Sequence, residues 1–219
     1  MIVSHSRKII FFSFPKTGSE SVRDMLSEIN EEPIHHFKDA TPQSPYYSHM
    51  SPAEAQAEFE KRGLDYSGYF RFTVTRNPYP RLVSIYEMVM AVDGVEKLKR
   101  RIGLRQQGFA DWLAATEPSG SGGGGRRHQR WRRFGTWSTA AWIAGRDGEV
   151  AVDRVLRLEY LADELPGVLR DLSLPRPETL THKNRRVTRD WRSYYDDRSR
   201  ALVAARYGDD LATYGYGFD

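Results

Sequence analysis

The stretch Lys8-Ile9-Ile10-Phe11-Phe12-Ser13-Phe14-Pro15-Lys16-Thr17-Gly18-Ser19-Glu20-Ser21 joins an apolar run to a polar, glycine-bearing turn. Residues 8–14 read as a strand. Ile9, Ile10, Phe11, Phe12 and Phe14 are nearly continuous, which suits a central parallel strand covered on both faces. Beyond the turn, Val22, Met25, Leu26 and Ile29 fall at i, i+3, i+4 and i+7, the spacing of an amphipathic helix. Ser19 or a neighbour can cap it. The chain therefore opens strand, loop, helix. Backbone N–H groups at a helix start point outward and carry partial positive charge. Gly18 allows close approach of a ligand to the backbone, Thr17, Ser19 and Ser21 bring hydroxyls, and Lys16 brings a full charge. The combination is an anion cradle. It is not a Walker A loop, GxxxxGK[ST], because the lysine precedes the glycine and the loop is shorter. Taken alone, the same residues also suit an ordinary strand–helix turn that contains a lysine.

A second segment has the same layout. Phe70–Thr75 reads as a buried strand, and Arg76-Asn77-Pro78-Tyr79-Pro80-Arg81-Leu82-Val83-Ser84 follows it. Pro78 opens a helix through Met90, with Leu82, Ile85, Tyr86 and Val89 on one face. Arg76 at the strand end offers a planar donor fork, and Ser84 on the helix a short hydroxyl, so both can reach one phosphate. The alternative is an arginine at a sheet edge and a serine facing solvent.

The remaining elements follow from punctuation. Residues 31–47 read as irregular. Ser51-Pro52-Ala53-Glu54 is a capping box with proline at the first helical position. Ala151–Leu158 reads as a third strand, and Asp163 as the cap of a helix with Pro166 in its first turn and Pro175 and Pro177 beyond its end. Asp196–Tyr207 reads as the final helix and Tyr214–Asp219 as a tail. Strands alternating with helices imply an α/β architecture with a parallel, doubly wound sheet, and ligands bind such sheets at the carboxyl ends of the strands.

Composition narrows the function classes. The 219 residues suit one domain, and the absence of cysteine excludes disulfides, thiolate catalysis and cysteine-type zinc sites. No apolar run reaches the length of a membrane span, and Ile9–Phe12 is too short for a signal peptide's core; the expected location is cytoplasmic. Positive charge is clustered in Lys97, Lys99, Arg100, Arg101, Arg105, Arg126, Arg127, Arg130, Arg132 and Arg133, opposed only by Asp111 and Glu117. That cluster is either a solvated face or a site for an anionic ligand or acceptor. Residues 117–125 (EPSGSGGGG) are a flexible loop by composition. Trp112, Trp131 and Trp137 could line an acceptor platform, whereas Trp142 reads as core.

Together, Phe14-Pro15-Lys16-Thr17-Gly18-Ser19-Glu20-Ser21 and the frame RNPYPRLVSIY resemble the 5′-phosphosulfate loop and the 3′-phosphate site of sulfotransferases that use 3′-phosphoadenosine-5′-phosphosulfate. The likeness is closest to the carbohydrate branch, the heparan 2-O and chondroitin-type enzymes and their bacterial relatives. It continues through residues 152–161, Trp191-Arg192-Ser193-Tyr194-Tyr195 and Tyr214-Gly215-Tyr216-Gly217-Phe218. The resemblance implies a P-loop NTPase-like three-layer α/β fold, with a central, mainly parallel sheet flanked by helices. It implies a single domain over residues 1–219, with about 91–135 as a variable excursion on the acceptor side.

It further implies in-line sulfuryl transfer to a glycan or small-molecule acceptor, with a slight tilt toward an anionic one. Neither a metal nor nucleic acid is expected. Pro15, Lys16, Thr17, Gly18, Ser19, Glu20 and Ser21 are the donor loop by this resemblance, and Arg76 and Ser84 the 3′-phosphate ligands. Lys183 and Arg185 in the basic loop 182–186 would close over the nucleotide. Lys16 would stabilise the leaving group, and His49 would serve as base, with His36, Glu20 and Glu87 as alternatives. Three positions depart from the family pattern: Pro80, Trp137-Ser138 and Glu20. A P-loop kinase, a polyanion-binding module and an inactive sulfotransferase-like protein are the rival readings.

Overall fold

The computed structural model describes residues 1–116, 135–175 and 190–219. Its backbone divides into two compact units, Met1–Thr75 with Trp142–Asn184, and Arg76–Ala141 with Arg185–Asp219.

The first unit holds a four-stranded sheet in the order β1 (Ile2–Ser4), β2 (Ile9–Phe12), β3 (Phe70–Thr75) and β4 (Arg154–Arg157). β2, β3 and β4 are parallel and β1 is antiparallel to β2, so the sheet is mixed and mainly parallel. The described strands lie in chain order, without the reversal that a doubly wound sheet would show. β1 was not foreseen: a tight turn with Lys8 at φ 55° folds the N-terminal residues back onto β2. All four residues of β2 are buried, as a strand covered on both faces requires. Ile9, Phe11, Phe72, Val74 and Leu156 form one core with Val22 and Leu26 of α1 (Ser19–Met25) and Leu165, Val168 and Leu169 of α7 (Leu161–Asp171).

The capping box at α2 (Pro52–Lys61) is formed as expected, with Ser51 and Glu54 exchanging bonds. The α1 cap falls on a neighbour of Ser19, and the α7 cap differs from the sequence reading. Gly18, not Ser19, stands at the N-cap of α1 and makes no side-chain bond; Ser19 is already helical and its hydroxyl turns back into the loop. The helix α7 starts at Leu161, before Asp163, because the buried Leu161 draws its first turn onto the core. Pro166 consequently lies inside the helix. The third strand is shorter than expected. Its entry is held by Asp153, whose carboxylate accepts from Nε, Nη2 and the backbone N–H of Arg71.

The second unit is helical: α3 (Pro78–Val92), α4 (Gly94–Arg101), α5 (Phe109–Ala114), α8 (Asp197–Arg206) and α9 (Gly208–Tyr214). The short helix α6 (Thr139–Ile143) runs across the boundary of the two units. α9 lies beyond the helix expected to be last. Leu82, Ile85 and Val89 of α3 pack with Phe109, Trp112 and Leu113 of α5 and with Val203 and Tyr207. Trp112 is thereby core, not an acceptor platform. Two arginines here bind main chain instead of solvent. Arg206 donates to the carbonyls of Leu113, Ala114 and Thr116, and the fully buried Arg81 donates to those of Gly135 and Trp137. Asp210, also buried, accepts from the backbone N–H of Thr139 and Ala140 and from the Thr139 hydroxyl.

The Gly-rich loop, Trp131, the arginines at 126–133, and Lys183 and Arg185 lie outside the described residues. Among the described residues, no helix is long and apolar enough to cross a membrane.

Candidate active site

β2 ends at Phe12 and the chain turns at once. Phe14 anchors the turn: its ring stacks on Trp142 at a centroid distance of 4.8 Å, which places Trp142 in the core as expected. The Phe14 carbonyl accepts from the Thr17 hydroxyl at 2.9 Å and the Ser19 hydroxyl at 3.1 Å. Both hydroxyls thus help to close the loop on itself. The loop also carries backbone N–H groups and the charge of Lys16.

Lys16 has φ 65° and Gly18 φ 71°, while Thr17 and Ser19 have negative φ. Alternating handedness of this kind turns successive N–H groups toward one side and makes a concave anion site. The conformation is costly for lysine, and non-glycine residues hold it where the surrounding structure imposes it. Gly18 is required twice over. Its φ favours glycine, and a Cβ there would lie 2.5 Å from Leu158 Cδ1. Pro15, Thr17 and Ser19 are buried, Lys16, Gly18 and Ser21 half-buried, and Glu20 exposed in the first turn of α1, where its charge suits the helix dipole.

His49 comes to this loop from the segment before α2. Its Nδ1 lies 2.7 Å from the carbonyl oxygen of Ser13. A carbonyl only accepts, so Nδ1 carries the proton and Nε2 carries the lone pair of the ring. Loss of hydration, with the nearby charges of the N-terminal amine, Arg23 and Lys16 adding to it, depresses the imidazole to about 4 against the Ser13 bond, which acts the other way. His49 is therefore a neutral base beside a lysine. Arg23, one turn into α1, is a charge that the sequence reading missed; its place four residues after Ser19 was the available signal. His36 is exposed at the entrance of a 3-10 turn over Phe37–Asp39 and has no such link to the loop.

In the second unit, Asn77 caps α3 by accepting from the Tyr79 N–H, and its own Nδ2 donates to the Gly217 carbonyl. Tyr79 stacks on Trp191, meets Tyr195 and Phe218 edge-on, and accepts the Tyr195 hydroxyl at its carbonyl. The two C-terminal motifs thus brace the segment that carries Arg76 and Ser84. Arg76 stands just before the capped helix and Ser84 on its second turn, and both are half-buried. Glu87, further along α3, is exposed and accepts the Tyr194 hydroxyl. Among the described residues, no cluster of three or more histidine or carboxylate side chains could hold a metal ion.

Comparison with known proteins bears on the family and the fold. A family model described as the sulfotransferase family matches residues 1–217. No curated protein matches the sequence significantly. Among solved structures, mouse sulfotransferase SULT7A1 complexed with PAP aligns with a TM-score of 0.51 at 12% identity, over 98% of this chain and 90% of that one. A sulfotransferase from Alicyclobacillus acidocaldarius aligns with a TM-score of 0.49 at 15% identity, over 94% and 92%. At such identities the mouse structure speaks to the fold, which is the P-loop-like α/β arrangement with a central, mainly parallel sheet. The match over nearly its whole length places this chain in the sulfotransferase family.

Proposed function

We propose that the chain transfers a sulfuryl group from 3′-phosphoadenosine-5′-phosphosulfate to the hydroxyl of a glycan or small-molecule acceptor, as the carbohydrate branch of the family does. The observation that carries this reading is the junction of Lys16 and neutral His49 through Ser13, at a loop whose backbone alternates in handedness. Such a loop fits a sulfated phosphate. It presents N–H groups and one lysine, and the Thr17 and Ser19 hydroxyls hold its shape through the Phe14 carbonyl.

The roles follow from the chemistry. The donor supplies an activated sulfate, whose bond to the bridging phosphate oxygen breaks as the bond to the acceptor oxygen forms. Lys16 and the N–H groups of the loop neutralise the charge that builds on the leaving phosphate. His49 Nε2 takes the acceptor's proton. An anion held by Lys16 offsets one of the charges that depress the imidazole, so the proton affinity of His49 rises when the loop is occupied. For Arg76 and Ser84 we assign the 3′-phosphate, and for Lys183 and Arg185 the nucleotide's outer face. These assignments rest on the family motifs.

Titration with adenosine 3′,5′-bisphosphate and with adenosine 5′-phosphate tests the donor. A strong preference for the bisphosphate, lost in Arg76→Ala, is expected. Equal, weak binding of the two nucleotides would refute it.

A further inference from the structure

Five of the eight large hydrophobic residues exposed in the described chain lie between positions 92 and 104: Val92, Val95, Leu98, Ile102 and Leu104, each more than half exposed. Val95, Leu98 and Ile102 have the spacing i, i+3, i+7 and fall within about 60° of one another on a helical projection. They form an aliphatic stripe along α4, turned to solvent instead of to the core. The donor chemistry gives this stripe no task.

Its charges have one sign. Lys97, Arg100, Arg101 and Arg105 are exposed. Glu96, the acid within the helix, is buried; it binds Lys99 Nζ at 2.7 Å and the backbone N–H of Gln107 at 3.0 Å. Asp93 is occupied by capping, accepting from the N–H groups of Val95 and Glu96. On the projection, Arg101 borders the stripe and Lys97 lies about 40° beyond Arg101 on the same side, where their long stems can reach back along apolar material while the charges point outward. A cleft of about 550 Å³ is lined by Lys99, Arg105, Gln106, Gln107, Gly108 and Asp111. It adjoins the C-terminal end of the helix and offers polar donors of the kind a phosphate headgroup needs.

We infer that α4 and the residues up to Arg105 dock the protein on the surface of a bilayer that carries anionic lipids. An amphipathic helix with a narrow aliphatic stripe and flanking lysines and arginines lies in the plane of such an interface. Charge separates this occupant from a second copy of the chain, because pairing the face with itself would set Lys97, Arg100 and Arg101 against their own like charges. The stripe also lacks the aromatic anchors on which protein partners usually converge. The helix is far too short to span a membrane, so the contact is peripheral.

The test uses the full chain in co-sedimentation with vesicles of phosphatidylcholine alone and of equimolar phosphatidylcholine and phosphatidylserine. Binding to the mixed vesicles only, weakened by high salt, is expected. Leu98→Asn with Ile102→Asn should reduce the partition constant by about tenfold or more. Lys97→Glu with Arg101→Glu should reduce it by at least roughly fivefold for each residue changed. All four positions are exposed, and circular dichroism checks that the variants remain folded. Absence of binding to mixed vesicles overturns the inference, as does equal binding by wild type and both variants. Concentration-dependent self-association that Leu98→Asn with Ile102→Asn removes, without vesicle binding, assigns the stripe to a second copy instead.

Discussion

His49 donates from Nδ1 to the Ser13 carbonyl across 2.7 Å, and this bond sets the tautomer of the imidazole. Ser13 precedes the loop that carries Lys16, so base and lysine are fixed to the same few residues of backbone. The folded-state pKa of about 4 lies below the ordinary 6.5, so protonation of His49 favours the unfolded chain. The stability held by neutral His49 is complete above about pH 6.5 and is lost as the pH falls toward about 4. His49→Gln should therefore flatten the fall of the urea midpoint across that window. It should also lower turnover far more than it lowers nucleotide affinity. Parallel pH profiles for the two proteins would contradict the first expectation, and unchanged turnover the second.

Lys16 separates stability from activity. Its φ of 65° is strained for a residue with a Cβ. Lys16→Gly relieves that strain, and the melting point should stay level or rise, by up to about 1 kcal/mol of stability. Lys16→Ala keeps the strain and gains nothing. Both variants should lose sulfuryl transfer. Near-native turnover in either would remove Lys16 from the leaving-group role.

Gly18 and Leu158 form a second testable pair. Gly18→Ala combines an unfavourable φ with a contact of 2.5 Å to Leu158 Cδ1, and a cost of about 1–3 kcal/mol is expected. Leu158→Ala removes the steric part but not the backbone part. The double variant should then lose less than the sum of the singles in chemical denaturation. Strict additivity would show that the clash plays no part.

Asp210 is a structural anchor, since Thr139 and Ala140 depend on it for their N–H bonds. Asp210→Ala should cost about 2–3 kcal/mol, because it strands buried donors. Asp210→Asn retains an acceptor oxygen and should cost less. Equal losses in thermal unfolding would point to charge instead of hydrogen bonding.

The core of the fold was legible wherever residues carry a period. β2, β3 and the face of α3 follow from runs of apolar side chains, and the box at Ser51 and Glu54 from local hydrogen-bond chemistry. β1 was hidden because three residues show no period; it exists by pairing with β2. The candidate site was legible as residue types and not as roles. Thr17 and Ser19 read as ligand hydroxyls in sequence, and the structure adds that both bond the Phe14 carbonyl. His49 looks like a near-neutral imidazole until its burial is known. Arg81, inside the second motif, gives no sign in sequence of being fully buried, since only the tertiary structure supplies the carbonyls it binds.

Those carbonyls have a design consequence. Arg206 grips the chain at residues 113–116 and Arg81 grips it at 135 and 137. Each grip is made to main chain and is indifferent to which side chains lie nearby. The two clasps hold the described chain on both sides of residues 117–134 without depending on the sequence between them.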